Sequence, residues 1–157
     1  MKQNHEHPTR VCSQINVSLN PCGITHYRIE RLQRVQNSAA RVLTGTRMRE
    51  HISPVLRSLH WLPVSARIMF KILVLTFKCV HGLAPFYLSD LISLYQPERS
   101  LRSTDLFLLN EHFTLSHRSQ NSAFTYVAPK LWNSLPSDVR LSPSLTVFKS
   151  KLKTQLF

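Results

Sequence analysis

Apolar residues recur every three or four positions between residues 28 and 44, which is the spacing of an amphipathic α-helix. At 100° per residue, five apolar side chains share one face: Leu32, Val35, Ala39, Val42 and Leu43. Arg31, Arg34 and Arg41 cluster on the flank of that face. Gly45 follows the last periodic residue and is a suitable C-terminal stop. The pattern therefore predicts a helix over residues 28–44 with a basic flank.

The stretch over residues 64–80 is apolar around most of its circumference, which predicts a buried central helix. Pro63 suits the start of this helix because no amide hydrogen is needed there, and Gly82 can cap its end. Four residues at its mid-face are expected to be buried: Ile68, Ile72, Leu75 and Cys79. Its polar stripe holds three basic residues, Arg67, Lys71 and Lys78. This stripe must reach water or a polyanion.

Weaker patterns predict the remaining elements. Short helices are expected at residues 51–59, 86–94 and 128–132, and imperfect alternation favours a weak β-hairpin within residues 112–127. A last helix is predicted from Ser142-Pro143 to the end of the chain. Its buried face holds Leu145, Phe148, Leu152 and Leu156.

The predicted fold class is mainly α. Residues 28–157 form a small helical domain with at most a minor β-hairpin. Residues 1–27 are polar, lack periodicity and contain Pro8, Pro21 and Gly23, so they are expected to form an unstructured leader.

The charge balance points to an anionic partner. Twenty Lys and Arg residues against eight Asp and Glu residues give a formal net charge of +12. Such a balance favours nucleic acid first and an anionic membrane second. A chain separated from a larger protein can also be basic because its acidic complement lies elsewhere. Ten of the basic residues and two of the acids lie within residues 28–78, so the basic surface belongs mainly to the first helices.

The residue inventory offers no complete catalytic or metal-binding set. Three glycines are too few for a glycine-rich phosphate loop. The eight acids are scattered without an Asp-Asp pair, whereas metal-assisted phosphoryl transfer needs clustered carboxylates. His5, His7, Cys12 and Cys22 could formally bind zinc but lack the usual paired spacing. No catalytic residue, metal site or cofactor is therefore expected.

Other reactive or aromatic residues have structural explanations. Cys79 is best explained as a packed core cysteine, and His60 and His81 as histidines at helix ends. Trp61 and Trp132 could stack on bases, but each lies beside leucines near a proline, which favours anchoring of the core. An odd cysteine count and a polar start without an apolar core favour an intracellular, reducing compartment, nuclear or cytoplasmic.

Several blocks of the chain together resemble the C-terminal end of LINE-type (non-LTR) retrotransposon reverse transcriptases. The first two blocks are RLQRVQNSAARVLT (31–44) and HISPVLRSLHWLPV (51–64). FKIL, HGLAP and YLSDL follow within residues 70–91. APKLWNSLP and FKSKLK lie within residues 128–153. The blocks occur in the family's order, cover about residues 28–157 and are specific in combination.

The resemblance implies a part of the polyprotein that follows the polymerase and carries no catalysis. The family's Tyr-x-Asp-Asp motif and its endonuclease are absent, so no catalytic residue carries over. Residues 1–27 do not match the upstream sequence that the family would have, which predicts a truncated copy or a spliced tail. In its parent the segment would help to hold the RNA template or target DNA.

The sequence thus favours an accessory, non-specific nucleic-acid-binding segment whose partner is the RNA or DNA backbone and not a membrane. Six residues are the candidates for phosphate contact: Arg31, Arg34, Arg41, Arg67, Lys71 and Lys78. Solvated helix faces would produce the same pattern. Two other functions remain open, a pseudogene-like product without molecular function and a helical protein-interaction module adopted by the host.

Overall fold

A computed structural model describes residues 25–96, 107–111 and 123–157, and 66% of these residues lie in helices. In chain order the helices are α1 His26–Thr44, α2 Ile52–Ser58, α3 Val64–Val80, α4 Phe86–Ser89, α5 Ala123–Asn133, α6 Ser137–Arg140 and α7 Leu145–Leu156. The β-structure in these ranges is one isolated antiparallel bridge between Leu94 and Leu109. The prediction of a mainly α fold is confirmed.

Helix α3 is the centre of the core, and α1, α5 and α7 all pack on it. Its buried side holds Met69, Ile72, Leu73 and Phe77. Phe77 stacks on Phe148 of α7 with ring centroids 4.5 Å apart, and Trp132 of α5 is fully buried beside them. Aromatic side chains bury the largest apolar areas, so this cluster joins the first helices to the last two.

The predicted boundaries of α3 are confirmed, but its burial is less complete than predicted. Ile72 and Cys79 are buried as expected, whereas Ile68 is half-buried and Leu75 is 38% exposed. Leu75 comes four residues after Lys71 and so lies only about 40° from it around the helix. The elements that cover the opposite side of α3 do not reach this sector. The prediction that Leu75 is buried is therefore wrong.

The C-terminal helices begin at other positions than the sequence predicted. Helix α5 already begins at Ala123 and contains Pro129, so the predicted hairpin is wrong for residues 123–127, and residues 112–122 lie outside the described part. Val127, Ala128, Leu131 and Trp132 have the spacing of one helical face, and their burial offsets the hydrogen bond that Pro129 cannot make.

Helix α7 begins at Leu145 and not at Ser142. Ser144 is its N-cap, and the Ser144 side chain accepts a hydrogen bond from the amide of Val147 at 3.3 Å. Phe148, Leu152 and Leu156 are buried as predicted. Helix α4 ends at Ser89, five residues earlier than expected.

Both predicted glycine caps are confirmed, with φ of 67° at Gly45 and at Gly82. After α3 the amide of Leu83 donates to the carbonyl of Lys78 at 2.8 Å, and the amide of Gly82 donates to that of Cys79. This pair of bonds is a Schellman motif. None of the helices in the described ranges is both long and apolar enough to cross a membrane.

Candidate nucleic-acid interface

Four of the six candidate phosphate contacts are exposed. Arg31 and Arg34 lie on the outer surface of α1, and Arg67 and Lys71 lie on the exposed stripe of α3. Four residues correspond to about 400° of helical rotation, so Arg67 and Lys71 project from the same side of α3. Because both side chains are exposed, the guanidinium of Arg67 and the ammonium of Lys71 are accessible to a ligand.

Arg41 and Lys78 are placed differently, because both are half-buried. The Arg41 guanidinium donates hydrogen bonds to the carbonyl oxygens of Arg47 and Glu50, the second at 3.0 Å. These bonds fasten the loop between α1 and α2. Lys78 lies in the last turn of α3, where a cation is favourable near the helix C-terminus. Arg41 and Lys78 are therefore less accessible to a phosphate group than the four exposed residues.

Two glutamines hold α1 against the start of α3. The amide of Val64 donates to the side-chain oxygen of Gln33 at 2.8 Å, and Gln36 Nε2 donates to the carbonyl of Leu62 at 2.9 Å. Ala40, the one buried residue of α1, lies on the same side of the helix as these glutamines. The side of α1 that carries Gln33 and Gln36 therefore faces the segment around Leu62 and Val64.

As a consequence, the apolar face of α1 lies largely at the surface. Leu32 is 54% exposed, Val35 67% and Val42 84%. Between α1 and α3 this face forms one wall of an open groove of about 670 Å³. The groove lining comprises Leu32, Val35, Gln36, Trp61, Val64, Arg67, Ile68 and Lys71.

The groove separates the two basic sets. Arg67 and Lys71 belong to the α3 wall of the groove. Arg31 precedes Val35 by one turn of α1 and lies on the side of Val35 that is turned away from the groove. The sets therefore do not form one continuous strip, because apolar side chains lie between them. In the described ranges the close contacts between basic and acidic side chains are His26–Glu30 at 3.3 Å and Lys151–Asp138 at 3.9 Å, and neither includes Arg31, Arg34, Arg67 or Lys71. Helix α3 carries no acid.

The two tryptophans differ. Trp132 is fully buried, and its indole Nε1 donates to the carbonyl of Phe107 at 2.6 Å, which agrees with core anchoring. Trp61 is half-buried and lines the groove, so part of its ring can contact a ligand.

Two further candidate reactive groups, Cys79 and His81, lie at the C-terminal end of α3. Burial raises the pKa of the Cys79 thiol, so less of it is the nucleophilic thiolate at neutral pH. His81 packs on Phe77 with centroids 4.1 Å apart. Over residues 25–96, 107–111 and 123–157, no three His, Cys, Asp or Glu side chains form a metal-binding group. The zinc candidates His5, His7, Cys12 and Cys22 lie outside these ranges.

Arg140 has a role that the sequence did not indicate. It is only 6% exposed, and its Nη1 donates to the carbonyl of Asn133, the last residue of α5, at 2.9 Å. Burial lowers the pKa of this guanidinium. A single arginine at the end of a four-residue helix carries no periodic signal, so burial of this kind is not predictable from the sequence pattern.

The chain matches no known protein family, no curated protein and no solved structure. The resemblance to LINE-type reverse transcriptases therefore stays a prediction.

Proposed function

We propose that the chain is a non-catalytic segment that binds the phosphate backbone of RNA or DNA. The observation that carries this proposal is the exposure of Arg31, Arg34, Arg67 and Lys71 in a chain of net charge +12. Arginine binds phosphate oxygens through its planar fork of donors, and lysine adds a compact positive charge. Both gain affinity from the release of counterions.

The expected binding is weak and does not depend on base sequence. The four side chains belong to two helices separated by the groove, and base readout requires a dense set of donors and acceptors against base edges. We expect a dissociation constant on the order of 10⁻⁴–10⁻⁶ M at physiological salt, as for other non-specific binders. The resemblance to the end of LINE-type polyproteins supports an accessory function beside a polymerase, on its RNA template or target DNA.

A pair of variants with equal net charge tests this function. The first replaces Arg31, Arg34, Arg67 and Lys71 by glutamine. The control replaces Arg47, Arg49, Lys149 and Lys153, four basic residues outside the candidate interface, by glutamine as well. Fluorescence anisotropy with a labelled RNA strand and a DNA duplex measures the affinities.

The first variant should bind both nucleic acids at least about tenfold more weakly than the control, because each phosphate contact contributes to affinity. Equal weakening in both variants would show that net charge alone attracts the ligand. Unchanged affinity in the first variant would exclude these residues from nucleic-acid binding.

A second function, protein interaction, is favoured by one specific observation. Leu32 and Val35 are exposed beside a groove with further apolar residues, Val64 and Ile68. Contiguous exposed apolar surface with a polar rim is typical of interaction sites.

A further inference from the structure

We infer that the groove between α1 and α3 binds an acidic amphipathic helix of another protein. This inference rests on the second function above, protein interaction, and goes beyond nucleic-acid contact. It specifies the chemistry of the partner: an apolar stripe for the floor of the groove and carboxylates for its rim.

The shape and lining of the groove fit a helix. Its aliphatic side chains come from two neighbouring helices, Leu32 and Val35 from α1 and Val64 and Ile68 from α3. Trp61, from the segment between α2 and α3, also lines the groove. A partner helix with apolar residues at positions i, i+3 or i+4 and i+7 would place a stripe between these two walls, as in other helix-in-groove complexes. Five of the eight lining residues are apolar, and four of these are aliphatic, which favours side chains of this kind over stacked bases.

The rim determines the charge of the partner. Arg67 and Lys71 lie on the α3 wall, and Arg28 and Arg31 precede Leu32 and Val35 on the exposed side of α1. The acid of α1, Glu30, lies 3.3 Å from His26. A helix with Glu or Asp beside its apolar stripe would meet positive charge on both sides, and such complementarity gives specificity and speeds association.

The occupant is best sought in another protein. The eight acids of this chain are spread from Glu6 to Asp138 without an acidic cluster, so the chain itself provides no acidic amphipathic segment. Two copies of a chain with net charge +12 repel each other, which disfavours a symmetric dimer through the basic rim.

The test uses the full chain and synthetic peptides of about 18 residues, long enough to form a helix. The probe peptide carries leucine on one helical face and glutamate beside it. One control peptide has the same composition in scrambled order, and another has lysine for every glutamate. Anisotropy of labelled peptide should show saturable binding of the probe and at least about tenfold weaker binding of both controls.

Two variants locate the site. Leu32→Glu, in the groove lining, should weaken probe binding at least about tenfold. Val42→Glu, which adds the same charge to an exposed position of α1 outside the lining, should change it less than about twofold. Circular dichroism checks that both variants remain folded. The double variant Arg67→Glu/Lys71→Glu should weaken binding of the acidic peptide and strengthen binding of the lysine peptide, because the charge of the α3 wall is reversed.

The results that overturn the inference differ from those that overturn nucleic-acid binding. Equal binding of the probe and scrambled peptides, or equal effects of Leu32→Glu and Val42→Glu, would exclude the groove as a helix site, and RNA binding could still persist. If Leu32→Glu weakened RNA binding far more than Val42→Glu did, the groove would be a nucleic-acid site and not a helix site. Concentration-dependent dimerisation abolished by Leu32→Glu would identify a second copy as the occupant and also contradict the inference.

Discussion

His60 has a backbone conformation that its residue type disfavours. Its φ is 53°, and the amide of Trp61 donates to the carbonyl of Leu56 at 2.8 Å, which closes α2 with a Schellman motif. For a residue with a Cβ atom the left-handed conformation costs about 1–2 kcal/mol, whereas glycine adopts it readily. The His60 side chain is exposed, so its removal sacrifices little packing.

His60→Gly should therefore raise the free energy of unfolding by about 0.5–1 kcal/mol, after allowance for the greater flexibility of glycine in the unfolded chain. Urea denaturation followed by circular dichroism measures the change. His60→Ala, which keeps a Cβ atom, is the control and should give no gain. A glycine variant less stable than the alanine variant would show that the histidine side chain itself stabilises the turn.

At the scale of elements, α3 should dominate stability through one side only. Ile72 is 6% exposed and belongs to the core cluster that includes residues of α5 and α7, whereas Leu75 is 38% exposed beside the basic stripe. Ile72→Ala should lower the free energy of unfolding by about 2–5 kcal/mol, because it leaves a cavity in the core. Leu75→Ala should lower it by less than about 1 kcal/mol. Similar decreases in the two variants, measured by urea denaturation, would contradict the described orientation of α3.

The elements differ in how far the sequence predicts them. The bounds of α3 were predictable because Pro63 and Gly82 mark its ends, and a continuous apolar pattern joins them. The start of α5 was not, since Pro129 suggested a first helical residue although it lies within the helix. For α1 the periodicity identifies an apolar face, but it cannot indicate whether another element covers that face.

The candidate site shows the same limit. The exposed basic residues of α1 and α3 were identifiable from their spacing, because stripes of like charge on a helix must avoid the core. The groove between them depends on the contacts of Gln33 and Gln36 with Val64 and Leu62, which join segments about thirty residues apart. In the sequence pattern Arg41 lies on the same flank of α1 as Arg31 and Arg34. The carbonyl groups that accept its hydrogen bonds belong to the folded α1–α2 loop, which the pattern does not show.

For the whole molecule, the net charge of +12 and the exposed basic residues of α1 and α3 together predict binding to a phosphate backbone. A charged surface that binds phosphates releases counterions, so log affinity falls linearly with log salt concentration. The slope reports how many phosphates are contacted, whereas affinity at one salt concentration does not.

The most direct measurement is this slope for the full chain and for the variant with glutamine at Arg31, Arg34, Arg67 and Lys71. With a labelled RNA strand, the variant's slope should be flatter by roughly 0.7 for each phosphate that it no longer binds, and the control with glutamine at Arg47, Arg49, Lys149 and Lys153 should keep a slope near that of the unchanged chain. An equal slope for the full chain and the first variant, with both folded, would contradict phosphate binding by these four side chains, which would then be solvated helix faces.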